Sequence, residues 1–246
     1  MPSDPAPGRS GSRRGSTATR GEGTTMVPVH TVTLPTRTTQ PGSTLDLMVL
    51  ADGPEGCAAV DVRSGSLVRA SYPGRPDRPL AAFDLIRVVL AEDPDGPDPT
   101  QPEGVSLVAT PQVLGRVRRR RVRRLLEPLT LPAGAEPFGF PGSATPYWLV
   151  PGDRPSLAVL RPQSGPQLKR YRDGLFCRFG WRGVEVELPL VDRAARRLAT
   201  AADTPRLSGG QLAGTLGFMP SHLVLALTTP HEGRCYKVVA GLLPAP

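Results

Sequence analysis

Proline and glycine are so frequent in this chain that they limit how long any helix can be. The 246 residues include 30 Pro and 27 Gly. Proline lacks the amide N–H that a helix interior needs, and glycine is the preferred residue where a turn requires positive φ. Hydrophobic residues make up 39% of the chain, which is enough for a folded core. The composition therefore favours short strands joined by turns.

The start of the chain has the composition of a disordered arm. Residues 1–25 are mainly Ser, Gly, Pro, Thr and Arg, and they have few apolar side chains to bury. Such a segment cannot offset the entropy that ordering costs. A short strand fits residues 27–34 before linker composition returns. We predict a basic disordered arm over residues 1–43 and a β-rich globular domain over residues 44–246.

Alternating apolar residues predict antiparallel hairpins in this domain. In residues 175–190, pairing of Phe179 with Val184 would place Cys177 on the inner face and Arg178 beside Glu185 on the outer face. In residues 58–71, a three-residue loop over 64–66 would pair Val60 with Ala70 and Asp61 with Arg69. These two hairpins are the main basis for the predicted fold.

Weaker patterns complete the predicted architecture. Further hairpins are predicted at 147–161 and 222–242, and single strands at 45–52 and 104–109. Residues 81–90 could form either a strand or a helix. One helix is predicted over 191–202, with Asp192 as its N-cap. The fold class is therefore mainly β, with antiparallel hairpins forming a barrel or sandwich and one or two helices.

The net charge of +8 is concentrated in two short segments. Residues 1–43 carry +3 and residues 116–124 carry +7, so the rest of the chain carries −2. Residues 116–128 are named the Arg segment below. Its arginines are Arg116, Arg118, Arg119, Arg120, Arg121, Arg123 and Arg124. A nearly neutral domain thus carries one dense basic segment.

The Arg segment is the strongest indication of function. A helix ended by Pro128 would place Val122, Leu125, Leu126 and Leu129 on one side and most guanidinium groups on the other. Guanidinium forks match phosphate geometry, so the segment predicts non-specific binding of nucleic acid or another polyanion. The alternative is a protein-interaction or scaffold module that meets an acidic protein surface. A solvated loop or linker would need no ligand.

The position of the Arg segment leaves the domain count open. Hairpins are predicted on both sides of it, so two subdomains over 44–115 and 129–246 could be joined by residues 116–128. The acidic stretch 92–103 is predicted as a solvated loop, with neutralisation of the Arg segment as an alternative role.

Catalytic and cofactor signals are weak. The three histidines and three cysteines have neither metal-ligand nor disulfide spacing, and no serine lies in a G-x-S-x-G turn. Cys177 on an inward face would be unreactive, and Cys235 with His231 lies across a predicted turn. We predict no metal, no cofactor and no catalytic residues, and a binding protein is favoured over an enzyme.

The string LSGGQ at residues 207–211 also occurs in the signature motif of ABC-type ATPases. That motif acts on nucleotide held by a partner's phosphate loop, and neither lysine here lies in a GK[ST] setting. No nucleotide site is therefore predicted at Ser208.

Stacking residues and compartment complete the predictions. The aromatic residues that could stack on bases are Tyr147, Trp148, Tyr171, Phe176 and Trp181, although core or turn roles are favoured for most of them. No window approaches the ~20 apolar residues of a membrane span, and no secretory signal is evident. The odd, sparse cysteine count suits a reducing compartment, so the predicted location is cytoplasmic.

Overall fold

The computed structural model describes residues 41–246, apart from residues 75, 77, 93–95, 97 and 151. The strand predicted over 27–34 lies outside the described residues. So does the rest of the predicted arm, except for residues 41–43. The described residues are mainly β, as predicted, and the strands pair almost entirely antiparallel.

Sheet 1 has six strands in the order β5-β3-β2-β1-β4-β6. Its strands are β1 (Thr44–Asp52), β2 (Gly56–Asp61), β3 (Leu67–Ser71), β4 (Asp84–Val89), β5 (Gly104–Ser106) and β6 (Gln112–Arg116). The strand predicted over 45–52 is confirmed, the one predicted over 104–109 is present only over Gly104–Ser106, and the ambiguous segment 81–90 contains a strand. The β3–β5 pair is parallel.

Two four-stranded sheets contain the remaining strands. Sheet 2 has the order β7-β14-β13-β8, with β7 (Ala144–Pro146), β8 (Leu157–Leu160), β13 (Pro220–Leu227) and β14 (Arg234–Pro244). Sheet 3 has the order β11-β10-β9-β12, with β9 (Ser164–Tyr171), β10 (Gly174–Trp181), β11 (Val184–Pro189) and β12 (Arg206–Ser208). The hairpin predicted over 222–242 is confirmed. The one predicted over 147–161 is wrong, because residues 147–149 form a 3₁₀ turn and β8 pairs with β13.

The α-helices are α1 (Arg119–Leu126), α2 (Arg193–Ala201) and α3 (Gly209–Leu216). Helix α2 is the predicted one, and the Asp192 side chain accepts a hydrogen bond from the Ala195 N–H at 2.9 Å. Helix α3 begins within the LSGGQ string and ends at Gly217, whose φ of 78° is left-handed.

Sheet 2 lies between the other two sheets, because successive residues of β13 face opposite cores. Val224 and Ala226 pack with Met48 of sheet 1, whereas Leu223 and Leu225 pack with sheet 3. Apolar residues of the first core come from both sides of the Arg segment. Residues 44–115 and 129–246, predicted as candidate subdomains, thus share this core.

The hairpin of β10 and β11 has a different register from the predicted one. Trp181, rather than Phe179, pairs with Val184. The turn consists of Arg182 and Gly183, with φ of 55° and 75°, which is typical of a two-residue hairpin turn. A shift of two residues preserves the faces. Cys177 is therefore buried as predicted, and Arg178 forms an ion pair with Glu185 on the other face.

The predicted register of the hairpin over 58–71 is wrong by three residues. Val60 pairs with Leu67, and Arg69 pairs with Ala58 rather than with Asp61. The Asp61 carboxylate accepts hydrogen bonds from the N–H groups of residues 63 and 64, which stabilises a wider loop. Both faces of β2 are buried, so no contrast between a polar and an apolar face marks the register.

Candidate functional site

The Arg segment is anchored to the domain along one side. Arg116 ends β6, helix α1 follows, and a 3₁₀ turn over Glu127–Leu129 completes the segment. Val122 and Leu126 are buried in the core between sheets 1 and 2. The segment therefore contains a helix with an apolar side, and it is not a solvated loop.

All seven arginines of the Arg segment are exposed. Those on the flanks of α1 contact nearby backbone: Arg119 Nε donates to the Pro246 oxygen at 2.8 Å, and Arg121 Nη2 donates to the Val62 carbonyl at 3.2 Å. Arg116 Nη2 donates to the Ala82 carbonyl at 3.4 Å. Carbonyl oxygens have no formal charge, so the last two contacts orient guanidinium groups without neutralising them.

Ion pairing within the described residues leaves most of this charge uncompensated. Arg123 is the one arginine of the segment that pairs with a described carboxylate, that of Glu127, at 3.8 Å, and both side chains are exposed. Such exposed i,i+4 pairs are worth about 0.3–0.5 kcal/mol. The side chains of Arg118, Arg120 and Arg124 have neither a hydrogen-bond nor an ion-pair partner in the part of the chain that the structure describes.

The direction of α1 adds to the positive potential. The first turn holds three arginines, with no acidic residue and no side-chain cap. A helix N-terminus has unsatisfied N–H groups and a partial positive charge, so basic side chains are unfavourable there. An anion placed against this end of α1 would relieve that repulsion.

The basic charge continues onto sheet 1 around a single carboxylate. The pKa of Asp46 lies below its usual value, first because Arg87 donates to both of its oxygens at 2.8 and 3.0 Å, and also because Arg63 and Arg121 are nearby. Arg63 is exposed beside the helix. The seven arginines of the Arg segment together with Arg63 are named the basic surface below.

The candidate stacking residues have different environments. Trp181 is buried at the end of β10, and its Nε1–H donates to the Ala135 carbonyl at 3.0 Å, so of the predicted core or turn roles it has the core one. Tyr171 packs edge-on against the half-buried Phe176, with ring centroids 5.3 Å apart. Tyr147 and Trp148 are exposed and adjacent. Stacking by those two residues stays a prediction.

The acidic stretch 92–103 differs in part from the predicted solvated loop. The Asp98 carboxylate accepts hydrogen bonds from the Thr100 N–H and hydroxyl, both at 2.7 Å. Glu103 is buried. None of its described acidic residues, Glu92, Asp98 and Glu103, forms an ion pair with the Arg segment.

The weaker chemical candidates lack the geometry of a reactive site. Burial raises the pKa of the Cys177 thiol to about 12, and burial also raises the pKa of Cys235. His231 lies in the predicted turn, which closes by hydrogen bonds to Arg234. No group of three or more His, Cys, Asp or Glu side chains within the described ranges could hold a metal ion.

No helix in the described part of the chain is long and apolar enough to cross a bilayer.

Sequence reasoning missed a buried charged network at the junction of sheets 1 and 2. The Glu103 carboxylate accepts from the Ser156 N–H at 2.9 Å and from its hydroxyl at 2.5 Å. Arg69 Nε lies 3.6 Å from Glu103, while Arg69 Nη2 donates to the Leu227 carbonyl at 3.1 Å. These residues are far apart in sequence, so no local pattern could have revealed the network. The missed residue Lys237 is also buried, and it lines a cavity.

Comparison with known protein families, curated proteins and solved structures finds no match to this chain. The proposals below therefore depend on the geometry of its own residues.

Proposed function

We propose that this protein binds the phosphate backbone of nucleic acid, without sequence specificity, through the basic surface. The observation that carries the proposal is that Arg118, Arg120 and Arg124 are exposed and have no partner among the described residues, on a helix held in place by its buried side. Positions on one folded face present charge to a polymer at fixed spacing, which a flexible chain does not.

Salt dependence gives the proposal a quantitative form. Each phosphate neutralised on duplex DNA contributes about −0.9 to the slope of log K against log salt. Arg118, Arg120, Arg123 and Arg124 alone would give a slope of about −4, and all seven arginines of the Arg segment would give about −6. The measured slope thus reports how many arginines meet phosphate.

Fluorescence anisotropy with a labelled duplex, over a range of salt concentrations, tests the proposal. The triple variant R120Q/R123Q/R124Q should reduce the steepness of the slope by about 3 and weaken binding for all duplex sequences alike. The matched control is R172Q/R196Q/R197Q, which removes the same charge from exposed positions elsewhere. An equal loss in both variants would show that only net charge matters, and an unchanged slope in the first would reject the proposal.

A protein-interaction module is the second candidate, and a separate observation favours it. Tyr147, Trp148 and Leu149 are exposed by 46%, 67% and 62%. Aromatic side chains are enriched in protein interfaces. A partner retained after nuclease treatment, and lost in W148A but not in R120Q/R123Q/R124Q, would support this candidate over the first.

A further inference from the structure

Strand β11 is one edge of sheet 3, and its pairing with β10 fixes which of its backbone groups point outward. In an antiparallel strand, both backbone groups of a residue point to one side and those of the next residue to the other. Directly after β11, the Leu190 N–H donates to the Leu175 carbonyl at 2.8 Å. The even-numbered residues of β11 therefore bond to β10, and the odd-numbered ones, Glu185, Glu187 and Pro189, direct their backbone groups away from it.

Sheet 2 covers one end of this outer edge. The Val191 N–H, just beyond β11, donates to the Val239 carbonyl of β14 at 2.9 Å. Two residues earlier on β14, the Lys237 N–H donates to the Ser143 carbonyl at 2.7 Å rather than to β11. The contact between β11 and β14 is therefore made at the end of β11 and does not extend back along it.

The earlier part of the edge is open. The two N–H and two C=O groups of Glu185 and Glu187 have no hydrogen-bond partner in the described part of the chain. A cavity of about 540 Å³ lies along this stretch, and its exposed lining residues come from the β10–β11 turn, from β11 and from residues 141–143. One of them, Val184, is 60% exposed. A row of unpaired backbone groups beside open space is a template for another strand.

The side chains along the open edge favour a basic partner strand. Glu185 and Glu187 lie on the solvent-facing side of sheet 3, and their side chains are 58% and 34% exposed. Each pairs with one cation within the sheet, Glu185 with Arg178 and Glu187 with Lys169. A carboxylate has two oxygens and can accept further donors. Residues directly opposite on an added strand would share this face, where opposite charges stabilise cross-strand pairs.

A second copy of this chain is a poor occupant of the same edge. Two β11 strands paired antiparallel about Val186 would place Glu185 of each copy opposite Glu187 of the other. Like charges directly opposite are destabilising, and charged side chains at sheet edges prevent self-association in this way. A peptide with basic residues at these positions has no such penalty.

We propose that the open edge of β11 binds an extended peptide in which basic and apolar residues alternate. The peptide runs antiparallel to β11, and two of its basic residues lie opposite Glu185 and Glu187 and exchange backbone hydrogen bonds with them. The apolar residue between these two lies on the same side as Val186. It packs there beside the exposed Val184 and residues 141–143. The peptide becomes the fifth strand of sheet 3.

Fluorescence anisotropy with labelled peptides tests the proposal. The peptide TVRVRVT should bind saturably, and the acidic peptide TVEVEVT should bind about ten-fold more weakly. The whole chain carries +8, so long-range attraction favours the acidic peptide, and a preference for the basic one reports the local edge. Lack of saturable binding of TVRVRVT, or equal affinities for the two peptides, would overturn the proposal.

Backbone methylation of the peptide tests the strand pairing on the unaltered protein. A TVRVRVT peptide that is N-methylated at both arginines keeps its charge but has lost the two N–H donors to the edge. It should bind about ten-fold more weakly than the unmethylated peptide. Undiminished binding would show that charge alone attracts the peptide, which contradicts strand addition.

Variants at position 187 separate the backbone from the charge. E187Q keeps the N–H and removes the carboxylate, so the preference for TVRVRVT over TVEVEVT should fall about threefold. The matched control E232Q, at an exposed turn, should retain the full preference. E187P also removes the outward N–H, which an edge strand tolerates, so both peptides should bind about five-fold more weakly. Full preference in E187Q or full affinity in E187P would reject the proposal.

Sedimentation velocity tests the competing occupant. The protein should not dimerise through β11, and a dimer that dissociates in E187P would show that a second copy occupies the edge instead of a peptide. Near-UV circular dichroism checks that each variant is folded, and the methylated peptide tests the same hydrogen bonds where E187P fails to fold. None of these changes alters the basic surface, so nucleic-acid binding can succeed or fail independently.

Discussion

The buried network around Glu103 and the basic surface use arginine in opposite ways. At the junction of sheets 1 and 2, Arg69 is held by Glu103, Ser156 and backbone carbonyls. On α1, Arg120 and Arg124 extend into solvent without a described partner. The two regions belong to one domain. Outside the predicted arm and the Arg segment, the chain has similar numbers of acidic and basic residues. They differ in how well water can solvate the charge.

Desolvation explains the difference. A charge removed from water needs a partner and hydrogen bonds, because an unpaired buried ion is strongly destabilising. An exposed charge needs neither, and pairing it contributes little. Glu103 therefore acts in the interior instead of neutralising the Arg segment. Among the described residues, only Glu127 pairs with an arginine of the Arg segment.

Glu103→Ala should have the largest effect on stability. Loss of the carboxylate removes the counter-ion of Arg69 and the acceptor of the Ser156 N–H, so the free energy of unfolding should fall by about 4 kcal/mol. The matched control is Glu127→Ala on the basic surface, which should cost about 0.5 kcal/mol or less. Urea unfolding curves measure both. Similar costs for the two variants would break the proposed contrast between buried and exposed charges.

The pH dependence of stability tests how burial affects the carboxyl group of Asp192. Burial raises the pKa of this carboxyl to about 6 from an ordinary value of 3.8, against the lowering effect of backbone N–H donors. The native state then binds the proton more tightly than the unfolded state, so this group's contribution is greatest at about pH 4 and declines until about pH 6. Wild type should gain as much as about 3 kcal/mol relative to Asp192→Asn as pH falls through this window.

Asparagine at position 192 can still cap α2, but its NH₂ group cannot accept the Leu242 N–H that Asp192 Oδ2 accepts at 3.1 Å. That loss does not vary with pH, so the change of the difference with pH reports ionisation. Urea midpoints of wild type and D192N at several pH values measure the effect. Parallel curves would show that Asp192 does not titrate in this range.

Asp46→Asn tests the exposed charges of the basic surface. The substitution removes the carboxylate among Arg63, Arg87 and Arg121, so Arg87 becomes free to meet phosphate. Duplex affinity at low salt should rise about threefold, and the salt slope should steepen by about 1. Asp173→Asn, at an exposed turn, is the control. Weaker binding in D46N would mean that Asp46 orients the surface rather than opposing its ligand.

Arg120→Glu has the smallest expected effect on stability, and it separates stability from binding. An acidic residue in the first turn of α1 favours the helix dipole, so the free energy of unfolding should rise by about 0.5 kcal/mol. Duplex binding should weaken in the same variant. Thermal unfolding and anisotropy give the two readouts, and a variant that loses both would indicate that Arg120 supports the fold.

Local patterns predicted most elements of the fold but not all of their pairings. The hairpin over 175–190 keeps its predicted faces because an error of two residues preserves the alternation. The hairpin over 58–71 does not, since both sides of β2 are apolar and the Asp61 carboxylate stabilises a wider loop. Helix α3 was missed because its Gly-rich sequence has low helix propensity.

The candidate sites show the same division. The Arg segment was visible in the sequence because its seven arginines fall within nine residues. Lys237 was not, because its environment comes from residues 136–143 and from strands of two sheets. Nothing near Lys237 in the sequence indicates a cavity.

By itself, the sequence determined a mainly β fold, the position of α2, and a dense basic segment with an apolar side. These follow from interactions between residues that are close along the chain. Only the tertiary structure decided which strands meet, that the buried Glu103 pairs with the half-buried Arg69, and that Lys237 is buried. Burial and charge pairing depend on neighbours distant in sequence, so a linear pattern does not contain them.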